Sequence, residues 1–183
     1  MFLEPNYKMT TASSAIPPDD LGRTLVLARP NEDQTLRHVA VAGDTYTILL
    51  TGKDTVGRYC LIDMLVPPGG GPPPHRHDFE EMFTVLEGEI EATFRGAKSV
   101  VRAGESVNIP ANAPHAFHNR SERPARLLCL CSPAGQEEFF MAIGLPVSSR
   151  TAPAPKLDTT ADAALTAKVK TLAAQYRTEL LPP

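Results

Sequence analysis

With 183 residues, 42% hydrophobic and 21% charged side chains, the chain has the composition of one globular domain with extensions, and not of a disordered or fibrous protein. A net charge of −3 without a basic run argues against an electrostatic nucleic-acid binder, and no apolar run is long enough to span a membrane. Cys60, Cys129 and Cys131 form no disulfide framework, and residues 1–20 carry charges but no apolar leader, so a reducing, cytoplasmic setting is expected.

Residues 1–23, with Ser13-Ser14 and Pro17-Pro18, read as an N-terminal arm that packs on the domain or on a second copy, and Met9 is a second candidate start. Alternation of period 2 predicts strands over residues 24–29, 38–41, 45–50 and 58–66, broken by turn residues at Ala42-Gly43-Asp44 and Thr51-Gly52-Lys53-Asp54. After the entry Pro72-Pro73-Pro74, His75 and His77 share one face of an extended segment. Glu81 keeps their parity if the strand runs on through residues 78–80, and Phe83 and Val85 continue that face up to Glu87-Gly88. Gly88 permits the turn into a returning strand over residues 89–95. A second hairpin, with a strand over residues 105–109, turns through Ala111-Asn112-Ala113-Pro114 and delivers His115, with Phe117 on the same parity. The strand over residues 125–131 carries Cys129 and Cys131, whose shared parity could in principle bring them to a metal but which read first as small buried hydrophobes. Ser132-Pro133 predicts a helix N-cap with proline at the first helical position, opening a helix over residues 136–143 that stops at Gly144 before Pro146. A Ser/Pro/Ala linker over residues 147–157 leads to a final helix over about residues 160–180. Its stripe of Leu165, Val169, Leu172 and Tyr176 needs cover from the domain's outer wall or from a partner chain.

His75, His77, Glu81 and His115 look like one metal site. Three imidazoles and a carboxylate suit a borderline-hard divalent metal, leaving it a net charge of +1 and open positions in a six-coordinate shell. In that arrangement Glu81 is both an anionic ligand and a candidate base for an acidic substrate hydroxyl. Phe83, Val85 and Phe117 are expected as an apolar wall around the metal, although inward phenylalanines are first of all core. Neighbouring candidates fall away. Glu80 has the opposite parity and reads as a surface acid, His118 the wrong parity to join His115, and His38 no partner pattern. Arg120, Arg123 and Arg126 share their turn with Glu122 and read as a solvated loop.

The two hairpins resemble the cupin superfamily. Gly69, His75, His77, Glu81 and Gly88 match all five positions of that family's first motif. Gly104, Pro110, His115 and Asn119 match four of five in the second, with Asn112 in place of a glycine. Asparagine is the next best residue for a left-handed turn position. The resemblance implies an all-β fold, a cupin double-stranded β-helix or jelly-roll barrel over residues 24–131, after which the chain is read as a short helix within 132–146 and a linker and C-terminal helix over 147–183. It implies one divalent transition metal (Ni, Fe, Mn, Co, Cu or Zn) on the four ligands, a small-molecule substrate and a homodimer. The Pro-rich entry and the segment 137–146 are similar to bacterial quercetin 2,3-dioxygenase-like proteins. That likeness implies a dioxygenase acting on a small hydroxylated, flavonol- or enol-like molecule. A redox-neutral isomerase or decarboxylase and a non-catalytic binding barrel are the alternatives.

Overall fold

A computed structural model describes residues 16–182. Its strands are β1 (His38–Val41), β2 (Asp44–Leu50), β3 (Cys60–Val66), β4 (His75–His77), β5 (Glu80–Glu87), β6 (Glu89–Phe94), β7 (Ala97–Arg102), β8 (Ser106–Ile109), β9 (His115–His118), β10 (Ala125–Ser132), β11 (Leu145–Pro146) and β12 (Thr178–Leu180). The helices are α1 (Gly52–Thr55), α2 (Gln136–Ile143) and α3 (Thr159–Ala173). A seven-stranded sheet runs β11-β1-β2-β3-β10-β5-β8, and a five-stranded sheet runs β12-β4-β9-β6-β7. Every pairing in both sheets is antiparallel. The protein is thus all-β with short helices appended.

The period-2 pattern sets which side chains face inward. On β10, Ala125, Leu127, Cys129 and Cys131 are buried and alternate with half-buried Arg126, Leu128, Leu130 and Ser132. On β5, Glu81, Phe83 and Val85 are buried between Glu80, Met82 and Thr84. Tyr46, Ile62, Met64, Val85, Ile90, Phe117 and Leu127 fill the space between the sheets. Gly88 turns β5 into β6 at φ 74°, and a Cβ there would stand 2.8 Å from the Pro124 carbonyl oxygen. Both the left-handed backbone and the close approach require glycine at this position.

Three expectations change. Residues 24–29 form no strand: Leu25 and Leu27 are exposed and the first strand begins at His38. Alternation alone does not make a strand where no sheet edge receives it. The N-cap of α2 is Gly135, not Ser132, which ends β10 and donates its hydroxyl to the Arg58 carbonyl. The buried Glu137 carboxylate ties that helix start down, accepting from Gly135 N at 2.8 Å and Gly52 N at 2.6 Å. The final helix does not reach residue 180. After a 3-10 turn at Ala174–Tyr176, Arg177 adopts φ 59° and the chain reverses into β12, which pairs with β4. The stripe residues Leu165, Val169, Leu172 and Tyr176 are half-buried, with the last three packed against the core. The arm proposed over residues 1–23 lies mostly outside the described residues.

The segment 147–157 is pinned rather than loose. Arg150 pairs with the buried Asp63 at 2.8 Å, opposite Arg126 at 2.7 Å, and the Ala152 carbonyl accepts from Thr45 Oγ1 at 2.6 Å. A buried acid held by two guanidinium groups fixes this strap across the larger sheet. Among the described residues no helix is long and apolar enough to cross a membrane.

Asp44 lies fully buried at the β1–β2 turn, accepting from Gly71 N and Tyr46 Oη at 3.2 Å each. Burial outweighs these two hydrogen bonds and raises its pKa from 3.8 to about 7. A carboxyl group with a raised folded-state pKa contributes stability that is complete below pH 4 and is lost as pH rises through about 7. Urea unfolding at pH 5 and pH 8 should show the native protein losing up to about 3 kcal/mol more than Asp44→Asn between the two. Parallel pH curves would show that Asp44 is ionised at no cost to the fold.

Candidate metal centre

Two sheets contribute to one cluster. His75 and His77 project from β4, His115 from β9 and Glu81 from β5, so three imidazoles of the smaller sheet face one carboxylate of the larger. His75 and His115 are cross-strand partners, with ring centroids 4.2 Å apart. Glu81 does not arrive by strand continuation. The chain leaves β4 at Asp78, crosses between sheets, and enters β5 at Glu80, so its shared inward direction is a product of the crossover. All four side chains are buried, His75 being the most exposed at 8%.

The donor atoms converge. One ligand atom from each of the four residues lies within 4.8 Å of the others. Glu81 Oε2 stands 3.0 Å from His77 Nε2 and 3.1 Å from His115 Nε2. Two metal–ligand bonds of about 2.1 Å at right angles separate their donors by about 3 Å, so these spacings fit one ion. The far nitrogen of each ring is already committed: His75 Nδ1 to the Pro73 carbonyl at 2.9 Å, His77 Nδ1 to Phe79 at 3.0 Å, and His115 Nδ1 to Ala113 at 2.9 Å. A proton on Nδ1 satisfies each carbonyl and leaves the Nε2 lone pair aimed into the cluster. The donor set therefore fits a divalent transition metal, and the residues present can hold one.

Electrostatics agree with that arrangement. Burial alone would raise the pKa of Glu81, but the hydrogen bonds and charge of His115 and His77 outweigh it and hold the carboxylate ionised well below its ordinary range. Desolvation, followed by the neighbouring His115, pushes His75 down to about 4. Burial would also lower His115, yet its hydrogen bond to Glu81 raises it. The Glu81 contact thus favours the protonated form of His115, and an incoming cation competes with that proton.

The turns before the ligands are cross-tied. Asn112, at φ 67°, donates its backbone N–H to the His77 carbonyl at 2.6 Å, joining the two hairpins. Glu80 faces away from the cluster, as its parity predicts, but it is not an idle surface acid. It accepts from Asn108 Nδ2 at 2.8 Å and Ala111 N at 3.1 Å, bracing the turn that presents His115. Asn119 is structural, donating to the Val66 and Arg123 carbonyls.

Phe83 and Phe117 meet edge to face at 5.3 Å, and with Val85 they are buried in the core between the sheets. His118 is half-buried on the opposite parity and His38 contacts Thr47, so neither joins the cluster. Arg120 and Arg126 are spent on Glu91 and Asp63, which leaves no cationic patch there. Three features were missed or set aside when the sequence was read. Phe79 stacks flat on His77 at 3.9 Å, a role its place in a crossover loop does not advertise. Cys129 and Cys131 approach Glu81 Oε1 at 3.4 and 3.8 Å. Their shared parity with the inward face of β10 was the available signal. An open cleft of about 430 Å³ near Pro72, Glu91, Lys98, His118 and Arg120 is lined by none of the four ligands.

A family model for the cupin domain matches residues 62–131, which contain the whole cluster. The chain is 29% identical over 101 residues to a quercetin 2,3-dioxygenase of Bacillus subtilis, a match covering 55% of this chain but only 30% of that protein. It is 32% identical over 98 residues to a β-D-galactosidase of Mycobacterium tuberculosis, covering 52% of this chain and 84% of the relative. The solved structure of KdgF from a Halomonas species superposes with a TM-score of 0.55 at 17% identity, covering 63% of this chain and 99% of that one. At that identity the likeness is one of fold.

Titration of the metal-free protein with Ni²⁺ or Zn²⁺ should show near-stoichiometric uptake with proton release. Affinity should fall as pH drops, because the Glu81–His115 proton must leave. Metal at about one hundred times its Kd should stabilise the fold by about 2.7 kcal/mol. His75→Ala/His115→Ala should lose both uptake and stabilisation. Retention of both in the folded double variant rejects the site.

Proposed function

The chain belongs to the cupin superfamily, and on that premise we propose that it is a metal-dependent dioxygenase acting on a small hydroxylated molecule of flavonol or enol type. The observation that carries the reading is the convergence of three carbonyl-oriented imidazoles and one ionised carboxylate on a single point. The similarity to a quercetin 2,3-dioxygenase supports the substrate class.

His75, His77 and His115 would hold the ion as neutral donors and Glu81 as the charged one. A redox-active divalent metal held by these residues would supply positive charge to a substrate oxygen and electronic access to dioxygen. Glu81 then has a second task. Its ionised carboxylate can take the proton of an acidic substrate hydroxyl as that oxygen approaches, the role expected of a positioned general base. Phe83, Val85 and Phe117 would exclude water from that side of the site. The substrate would enter past His75, the least buried ligand. We also propose that two copies associate, since Leu21, Leu25 and Leu27 of the N-terminal segment are exposed on the single chain.

Oxygen uptake with quercetin or a simple enediol, measured on protein reconstituted with each candidate metal, tests the reading. Consumption should require metal and fall at least about 100-fold in Glu81→Gln. Equal turnover of substrate without oxygen would instead establish a redox-neutral isomerase or decarboxylase. Ligand-dependent stabilisation with no turnover would establish a binding barrel.

A further inference from the structure

The larger sheet places sulfur behind the metal-ligand carboxylate. Cys131 is the direct cross-strand partner of Glu81, and Cys129 that of Phe83, so both thiols share the inward face of β10. Cys129 Sγ lies 3.4 Å and Cys131 Sγ 3.8 Å from Glu81 Oε1, and the two sulfurs are 3.6 Å apart. The other carboxylate oxygen, Oε2, takes both imidazole contacts. The two oxygens of Glu81 thus have separate environments: nitrogens on one side, sulfurs on the other.

We propose that Cys129 and Cys131 are positioning residues that hold Glu81 as a one-oxygen metal ligand. The inference rests on the reading of His75, His77, Glu81 and His115 as a metal site. Both thiols are fully buried, as neutral S–H groups commonly are in protein cores. In that form each sulfur has one hydrogen to donate. Among the described residues Oε1 has no partner but these two sulfurs. Turning Glu81 so that both oxygens face the metal would break those contacts and leave Oε1 without a donor. An S–H group is a weak donor. It therefore fixes the carboxylate's orientation while withdrawing little charge from the oxygen that faces the metal. A serine hydroxyl would fix it as well but compete harder for that charge.

The test uses Co²⁺ as the probe on the full chain. Cys129→Val/Cys131→Val preserves apolar bulk and removes both donors, and Cys129→Ser restores one. In infrared difference spectra of loaded minus metal-free protein, with Glu81→Gln identifying the carboxylate bands, the native protein should show the wide stretching split of one-oxygen ligation. The double valine variant should show the narrow split of two-oxygen ligation and bind Co²⁺ about 10–100-fold more weakly, the usual cost of losing an outer partner. Cys129→Ser should keep the wide split. A merely structural role would lower the melting temperature without moving these bands. An unchanged split and affinity in the folded valine variant would overturn the inference alone. So would a sulfur-to-cobalt charge-transfer band in the native protein, since the thiols would then be ligands themselves. Failure of the native protein to take up Co²⁺ would overturn the metal-site reading and this inference with it.

Discussion

One buried carboxylate sets the terms for the rest of the molecule. Glu81 points from the larger sheet into the space between the sheets, where it is 3% exposed. An unpaired charge in such a place costs several kcal/mol. The cost is met only if the smaller sheet delivers its imidazoles within hydrogen-bond reach, and that requires the spacing and relative orientation of the two sheets to be held closely. The contacts at 3.0 and 3.1 Å from Glu81 to His77 and His115 therefore tie one sheet to the other at the same point where a cation can bind. Ligand geometry and sheet packing are one constraint.

That constraint is enforced by backbone rather than by bulk. Each imidazole is oriented by a carbonyl two residues away in sequence: Pro73 for His75, Phe79 for His77 and Ala113 for His115. The Asn112–His77 backbone hydrogen bond and the contacts from Glu80 then lock the two ligand-bearing hairpins to each other. Such a shell changes little when an ion enters, which keeps reorganisation small. Flat stacking of Phe79 on His77 adds a wall that excludes water from the ring face.

The grouping of His75, His77, Glu81 and His115 was legible in the sequence because their spacing is tied to local geometry. The His-x-His pair follows from strand parity, and the glycine at 88 and asparagine at 112 follow from left-handed backbone. The route of Glu81 was not legible. Its parity with His77 suggested one continuous strand, and only the sheet assignment shows that the chain crosses over at residues 78–79. Residues 24–29 alternate as a strand should, yet alternation reports a face and not a partner, so no ladder forms there. The cysteines were visible as inward-facing, but their contact with Glu81 depends on the β5–β10 register, a long-range property. The same holds for β12, whose Thr178, Glu179 and Leu180 fall within the helix predicted from sequence and become a strand only against β4.

The last of these pairings bears most on the site. β4 is three residues long and carries two of the four ligands. Its pairing with β9 is a single bridge, His75 to His115, whereas β12 pairs with all three of its residues. Most of the ladder that holds His75 and His77 therefore comes from a segment about a hundred residues later in the chain. Side chains reinforce the same seam. Arg76 meets Glu179 at 2.6 Å, Arg177 meets Asp78 at 2.6 Å, and the Arg177 guanidinium lies over the ring of Phe79. Exposed ion pairs of this kind contribute little singly. Here they flank a backbone ladder and an aromatic stack, so their effect is to fix register rather than to add energy. α3 packs beside α2 and leads through the 3-10 turn at Ala174–Tyr176 into Arg177, so the position of that helix sets where β12 begins. The C-terminal extension is thus part of the scaffold of the candidate metal centre, coupled to His77 through Phe79 and through the strand it completes.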